Sequence, residues 1–220
     1  MKVELGEARL ELLGAGAVYW PEHGALFAAD LHLGKAETFQ QFGLPLPSGH
    51  SLSDLERLAQ LAEQCRAEAV YILGDLIHAR AGLTERHVAE VGAWLEAHPL
   101  PLTVILGNHD HYAGGVPEAW GLSVVAEGFE IGGLELNHHP VPAERAGERP
   151  RLCGHLHPVV HLGSRLDRMR LPCFVLEGSQ LTLPAFGSVT GGASARPTPE
   201  REVFAATGEA VVAVPLRARG

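Results

Sequence analysis

Long apolar runs and cysteine are both scarce in this chain, and each scarcity excludes something. No stretch has the length and apolarity of a membrane-spanning helix. The first residues, Met1-Lys2-Val3-Glu4-Leu5-Gly6-Glu7, carry alternating charges rather than the apolar core of a secretory signal. Only Cys65, Cys153 and Cys173 occur in 220 residues, with no metal-like pair and one odd thiol. A disulfide framework is therefore not the organising device, and a reducing cytoplasm is the expected location. Net positive charge is missing as well. The formal charge is -9, so the overall field does not attract nucleic acid. Internal repeats and low-complexity tails are absent.

What is present is an apolar fraction of 46%, enough for a sizeable core, and a single domain over residues 1–220 is expected. The chain also holds 13 histidines, many beside Asp, Gly or another His. The charge is uneven. Arg145, Arg149, Arg151, Arg165, Arg168 and Arg170 cluster in the second half, where a local patch could still meet a phosphate backbone.

Apolar patterning gives the elements. Residues 3–13 and 16–20 read as two short strands around Gly14 and Gly16. Gly24 to Ala29 is continuously apolar, as in a strand buried on both faces. Residues 43–51 form a Pro/Gly/Ser-rich loop. Ser51 or Ser53 is then expected to cap a helix to about Arg66, with Leu55, Leu58, Leu61 and Ala62 on one face. A strand at 69–73 is followed by a helix capped by Thr84 and running to about Ala97. Another strand leads into Gly107. Strand, helix, strand, helix, strand points to an α/β fold with parallel strands and right-handed crossovers. Short strands follow at 122–125, 129–131, 134–136, 151–153, 159–163, 172–177, 181–183, 202–205 and 210–215, with a loop over 187–199.

Five of these strands end in polar clusters: Asp30-x-His32, Gly74-Asp75, Gly107-Asn108-His109-Asp110, His138, and Gly154-His155-x-His157. In α/β sheets, strand ends point into the crevice where sites are built. Asp30 and His32, and likewise His155 and His157, are two residues apart and so face the same way. The glycines allow sharp turns. Converging, these residues would supply mixed oxygen and nitrogen ligands for two divalent metals. That donor set suits Mn²⁺, Fe²⁺ or Zn²⁺, whereas Mg²⁺ or Ca²⁺ would prefer oxygen throughout.

The five motifs in this order resemble the calcineurin-like metallophosphoesterases. The resemblance implies a four-layer αββα sandwich of two mixed sheets flanked by helices. It implies that Asp30, His32 and His157 hold one metal, Asn108, His138 and His155 the other, and that Asp75 bridges them. Mn²⁺ is the expected ion, with Fe²⁺ or Zn²⁺ as alternatives. His109 would act near the substrate, as acid to the leaving oxygen or donor to the phosphoryl oxygens. Asp110 would orient His109 by accepting its other N–H. His138 and His139 compete for one ligand position; His138 is favoured, and His139 would line the site. Lys35 is a candidate phosphate contact, with a solvated lysine as the plain alternative.

A closer resemblance, over residues 26–193, is to the ligase-associated DNA damage response endonucleases of the PdeM type. It rests on Asp30-Leu31-His32-Leu33-Gly34-Lys35, on Gly154 to Pro158, and on the tail: Pro172-Cys173-Phe174-Val175, Leu183-Pro184-Ala185-Phe186-Gly187 and Thr190-Gly191-Gly192. It implies phosphodiesterase or nuclease action on DNA or a nucleotide in DNA repair. The implied partners are an ATP-dependent DNA ligase, a helicase and an exonuclease. A small-molecule phosphatase, a cyclic-nucleotide phosphodiesterase and a scaffold subunit are the alternatives. One departure is Leu76-Ile77-His78-Ala79-Arg80, where that family is expected to place an acid. His78, His111 and His161 are read as surface or structural histidines, and Pro184 to Gly187 as core packing.

Overall fold

The computed structural model describes residues 1–142, 147–163 and 168–216. Arg145 and Arg165 lie outside this range. The described chain forms two mixed sheets packed face to face, with helices on the first.

The first sheet has seven strands in sequence order: β1 (Lys2–Leu5), β2 (Ala8–Leu12), β3 (Val18–Trp20), β4 (Ala25–Ala28), β5 (Ala69–Leu73), β6 (Leu102–Ile105) and β7 (Ser123–Val125). β1 to β4 pair antiparallel, and β4 to β7 pair parallel. The apolar stretch 3–13 is thus a hairpin rather than one strand, turning at Gly6, whose φ is 62°.

Helix α1 (Lys35–Gln41) follows β4 and precedes α2 (His50–Cys65); α3 (Glu85–Ala97) joins β5 to β6, and α4 (Asn108–Ala113) follows β6. Thr84 caps α3 as its hydroxyl accepts from the His87 amide at 3.1 Å. Neither Ser51 nor Ser53 caps α2. Gly49 holds that position with φ 92°, and the Ser51 hydroxyl instead accepts from the Gly34 amide at 3.0 Å. Two helices, α1 and α4, were not legible from apolar periodicity.

The second sheet contains β8 (Phe129–Ile131), β9 (Leu134–Leu136), β10 (Arg151–Cys153), β12 (Arg168–Glu177), β13 (Gln180–Thr182), β14 (Arg201–Ala206) and β15 (Val211–Ala213). Its order is β15-β14-β12-β13-β10-β9-β8, and β11 (Val159–Gly163) pairs with the early part of β12. β10 lies parallel to both β9 and β13.

Alternation within β4 shows how the layers form. Ala25 and Phe27 point into the core between the sheets, with Leu136, Leu152, Phe174, Leu181 and Phe204. Leu26 and Ala28 point the other way, against Leu55, Leu58 and Ala62 of α2 and Val91 of α3. All four β4 residues are buried, as a continuous apolar run requires. The far face of the second sheet carries a third, smaller cluster of Val160, Cys173, Val175, Ala195, Val203 and Ala205. Strand β11 and the segment around Ala195 contribute to it, and no helical residue does.

Among the described residues, no helix is long and apolar enough to cross a membrane.

Candidate metal centre

Asp30 and His32 follow β4, Asp75 follows β5, and Asn108 to Asp110 open α4 after β6. His138 follows β9, while His155 and His157 follow β10. Both sheets therefore deliver side chains to one crevice. The local backbone is unusual. Among the described residues, six non-glycine residues have left-handed φ: Asp30 (56°), His32 (52°), Asp75 (50°), His155 (69°), His157 (45°) and Arg66. Five of the six are candidate ligands. Such backbone costs an L-residue roughly 1–2 kcal/mol, and it concentrates where side chains must be aimed against local preference. The chain braces it: Phe186 N donates to Ala29 O at 2.7 Å and Gly187 N to Asp30 O at 3.2 Å.

Glycines open the space. A β-carbon on Gly74 would sit 2.1 Å from His138 Nδ1, and one on Gly107 would sit 2.2 Å from Asp75 Oδ1. Both residues face a functional side chain that needs the room.

Two groups of donors result. The ligand atoms of Asp30, His32 and His157 lie within 4.8 Å of one another. His32 Nε2 is 3.3 Å from His157 Nε2, and Asp30 Oδ1 is 3.2 Å from His157 Nε2. In the second group, His138 Nε2 lies 3.0 Å from Asn108 Oδ1, 3.0 Å from His155 Nδ1 and 3.4 Å from Asp75 Oδ2. Asp30, Asp75 and His138 also form one cluster, which puts Asp75 against both groups.

The protonation of His138 can be read from its contacts. Nδ1 lies 3.0 Å from the Leu73 carbonyl, which only accepts, so Nδ1 carries a proton. In the neutral ring Nε2 then presents a lone pair toward two oxygens that are also acceptors. A cation reconciles such a set, either a second proton or a metal. Burial opposes the second proton, yet the hydrogen bond and charge of Asp75, with Asp30, raise His138 to about 9. Burial would raise Asp75, but His138 brings it down to about 2. His32 is pushed down to about 2, chiefly by burial, and so stays a neutral donor. Asp30 Oδ1 is buried and takes no hydrogen bond. Carboxylate, carboxamide and neutral imidazole donors converging this way fit divalent cations of the Mn²⁺, Fe²⁺ or Zn²⁺ kind.

His138 is fully buried, whereas the exposed His139 holds Glu127 through Nδ1 at 3.2 Å. Glu127 also accepts from the amides of both histidines. His139 stays near the second group, 4.5 Å from His155 between ring centroids. Glu127 was not anticipated; it precedes an ordinary Gly turn, and no motif marks it.

His109 stands beside the first group, its ring 4.9 Å from that of His32. Its Nδ1 donates to the His78 carbonyl at 2.5 Å. The expectation that Asp110 would accept that proton is therefore corrected. Asp110 is buried and its oxygens accept from Ile77 N at 2.9 Å and Gly107 N at 3.0 Å. It ties two ligand-bearing loops together through backbone, because the α4 turn points its carboxylate away from the His109 ring. His78, read from the sequence as a surface or structural histidine, lies among the rings of the site. Its ring stacks on His109 at 5.3 Å and on Phe39 at 6.0 Å, and it clusters with His32 and His109. Lys35 is half-buried near the same rings, and burial lowers its pKa. His111 is exposed and away from these groups, while His161 is half-buried on β11.

Residues 25–174 match the calcineurin-like phosphoesterase family, more than half of the chain, and the chain belongs to that family. Within solved structures it is similar to the Pseudomonas putida nuclease MPE, at 36% identity and a TM-score of 0.82, over 97% of this chain and 99% of that one. A weaker similarity, at 16% identity and a TM-score of 0.40, is to Yfce, a phosphoesterase from E. coli, over 86% of this chain and 96% of that one. No curated protein matches the sequence.

Proposed function

We propose that this phosphoesterase hydrolyses phosphodiesters of nucleic acid, and that it does so with two divalent cations. The observation that carries the reading is the convergence of seven donor residues, from both sheets, into two groups sharing Asp75. Asp30, His32 and His157 would hold one cation, Asn108, His138 and His155 the other, and Asp75 both. Mn²⁺ suits the mixed donors best. When bound, such a pair lowers the pKa of a coordinated water and neutralises charge on the phosphoryl group.

The protein's own groups do the rest. The His78 carbonyl holds the Nδ1 proton of His109, so Nε2 is the edge left to meet substrate, and in the doubly protonated ring it would give its proton to the leaving oxygen or hydrogen-bond the phosphoryl group. Lys35 supplies positive charge beside His32 for a phosphate oxygen. His139 would line the other side. Likeness to a nuclease over nearly the whole of both chains supports a diester over a monoester. A cytoplasmic role in DNA repair, alongside an ATP-dependent DNA ligase, a helicase and an exonuclease, is part of the same proposal and rests on the resemblance of residues 26–193.

The test is hydrolysis of bis-p-nitrophenyl phosphate against p-nitrophenyl phosphate, with Mn²⁺ and with chelator. The diester should be preferred, turnover should vanish in chelator, and His109→Ala should lower kcat by about a hundredfold or more. Preference for the monoester would make this a phosphatase. No turnover of either, with metal bound, would leave a binding subunit.

A further inference from the structure

The metal centre does not end at His157. On its far side His157 lines a groove of about 440 Å³, bounded by the turns at 14–16 and 206–208 and by the tail segment 184–191. The volume is at the small end for sites that bury a drug-sized ligand, which suits a short piece of one strand rather than a duplex. The groove's lining departs from the rest of the molecule. The chain carries 26 Asp and Glu against 17 Lys and Arg, yet no acid lines this groove and two arginines do. Ser188, Thr190 and Thr207 also line it, their hydroxyls donating to Asp54, the Gly187 carbonyl and the Ala210 carbonyl.

The two arginines differ. Arg57 is held in place: Nη1 bonds Asp54 Oδ1 at 3.0 Å, Nη2 bonds the Phe186 carbonyl, and its guanidinium lies 4.2 Å over the Phe186 ring. Its charge is balanced by Asp54. Arg170, on β12, is exposed and has no ion-pair partner among the described residues. It stands close to the centre. A β-carbon on Gly192 would lie 2.4 Å from His157 O and 3.0 Å from Arg170 Nη2, so both crowd against the same glycine. The tail residues Pro184 to Gly187 and Thr190-Gly191, which no metal ligand explains, form one wall of this groove.

We propose that this groove is the track for the nucleic-acid strand flanking the scissile phosphate, and that Arg170 contacts a neighbouring phosphate on that strand. The inference rests on the phosphodiesterase reading and adds to it where the substrate's next nucleotide lies. An acid-free, arginine-bearing groove continuous with the metal centre provides attraction for a polyanion that the net charge of -9 denies elsewhere.

The test is fluorescence anisotropy of a labelled single-stranded oligodeoxynucleotide with the full chain in EDTA, across a salt series. It compares wild type, Arg170→Glu, Arg170→Gln and Arg86→Glu. Arg86 sits on α3 outside the groove and controls for net charge. Arg170→Glu should weaken binding about tenfold or more, and Arg170→Gln should flatten the log–log salt slope by about one. Arg86→Glu should change little. Equal losses in Arg170→Glu and Arg86→Glu, or no binding by wild type, would overturn the groove. Wild-type turnover of bis-p-nitrophenyl phosphate with Mn²⁺, measured in parallel, reports on the phosphodiesterase reading alone. Turnover without Arg170-dependent binding sinks only the groove. Binding that depends on Arg170 without turnover sinks only the catalytic reading.

Discussion

His157 shows what the centre demands of single residues. It holds φ 45°, a conformation that histidine adopts only against its own sterics, and it does so to face Asp30 Oδ1 at 3.2 Å. Glycine has no such penalty. In chelator, His157→Gly should therefore raise the unfolding free energy by about 1 kcal/mol, read from urea denaturation, while metal-dependent turnover falls. A loss of stability in chelator would mean that His157 stabilises the fold in its own right. That these side chains would come together was legible in the sequence because each stands in a polar cluster at the end of an apolar strand. Their hydrogen-bond partners were not. Asp110 and His78 exchange the expected parts, since which atom holds His109 Nδ1 depends on the turn into α4, and a turn of six residues leaves no periodic trace.

At the scale of elements, the sequence was informative wherever burial imposed a pattern. Both crossover helices and the buried parallel strands follow from apolar spacing. Helix α1 escaped because its seven residues begin inside the Asp30 to Lys35 motif, where side-chain choice serves the site rather than a core stripe. The cap of α2 was misplaced because the Ser51 hydroxyl is claimed by the Gly34 amide. One tertiary tie deserves its own test. Buried Asp54 on α2 accepts from Ser188 N at 2.9 Å, Ser188 Oγ at 3.1 Å and Arg57 Nη1, anchoring the tail segment beside the metal centre. Ser188 is exposed and Arg57 half-exposed, so the donors left behind can turn to water. Asp54→Ala should cost about 1 kcal/mol and expose the 186–191 segment to limited proteolysis before global unfolding. Unchanged proteolysis would show that the backbone bonds to Ala29 and Asp30, with Arg57 on Phe186, hold the segment without Asp54.

For the whole molecule, the centre sets how stability depends on pH. His32 in the folded protein sits at about 2 and His78 at about 4, both below the usual 6.5, mainly through burial. The unfolded chain therefore binds more protons below pH 6.5, and stability falls as pH drops through that window. His138 is the reverse. Raised to about 9 by its carboxylate partners, its protonated form contributes stability that is complete below 6.5 and lost as pH climbs toward 9. Metal-free protein should thus be most stable near pH 6.5, measured by thermal unfolding in EDTA. With Mn²⁺ the alkaline decline between 6.5 and 9 should shrink, because a cation takes the place of the His138 proton. An alkaline limb that Mn²⁺ leaves untouched would count against His138 as a ligand. Fold class and layering were visible in the sequence at this scale. That β11 and the segment around Ala195 cover the far face of the second sheet was not, because strand patterns do not reveal what covers them.

The two sheets meet at the centre, and this has a consequence for the order in which the protein is made. Asp30, Asp75 and Asn108 come from the first sheet, but His155 and His157 follow β10, whose neighbours in the second sheet are β9 and β13. The strand β13 ends at Thr182, and it is held in turn by β12. A nascent chain that has just released His157 carries every candidate ligand and no frame to seat the last two. Metal binding should therefore wait for β12 and β13, which complete the sheet around β10. A fragment ending at His157 should retain little Mn²⁺ in equilibrium dialysis, while one ending at Leu216 should bind as the full chain does. Strands β12 and β13, which donate nothing to the centre, would then set when it can assemble.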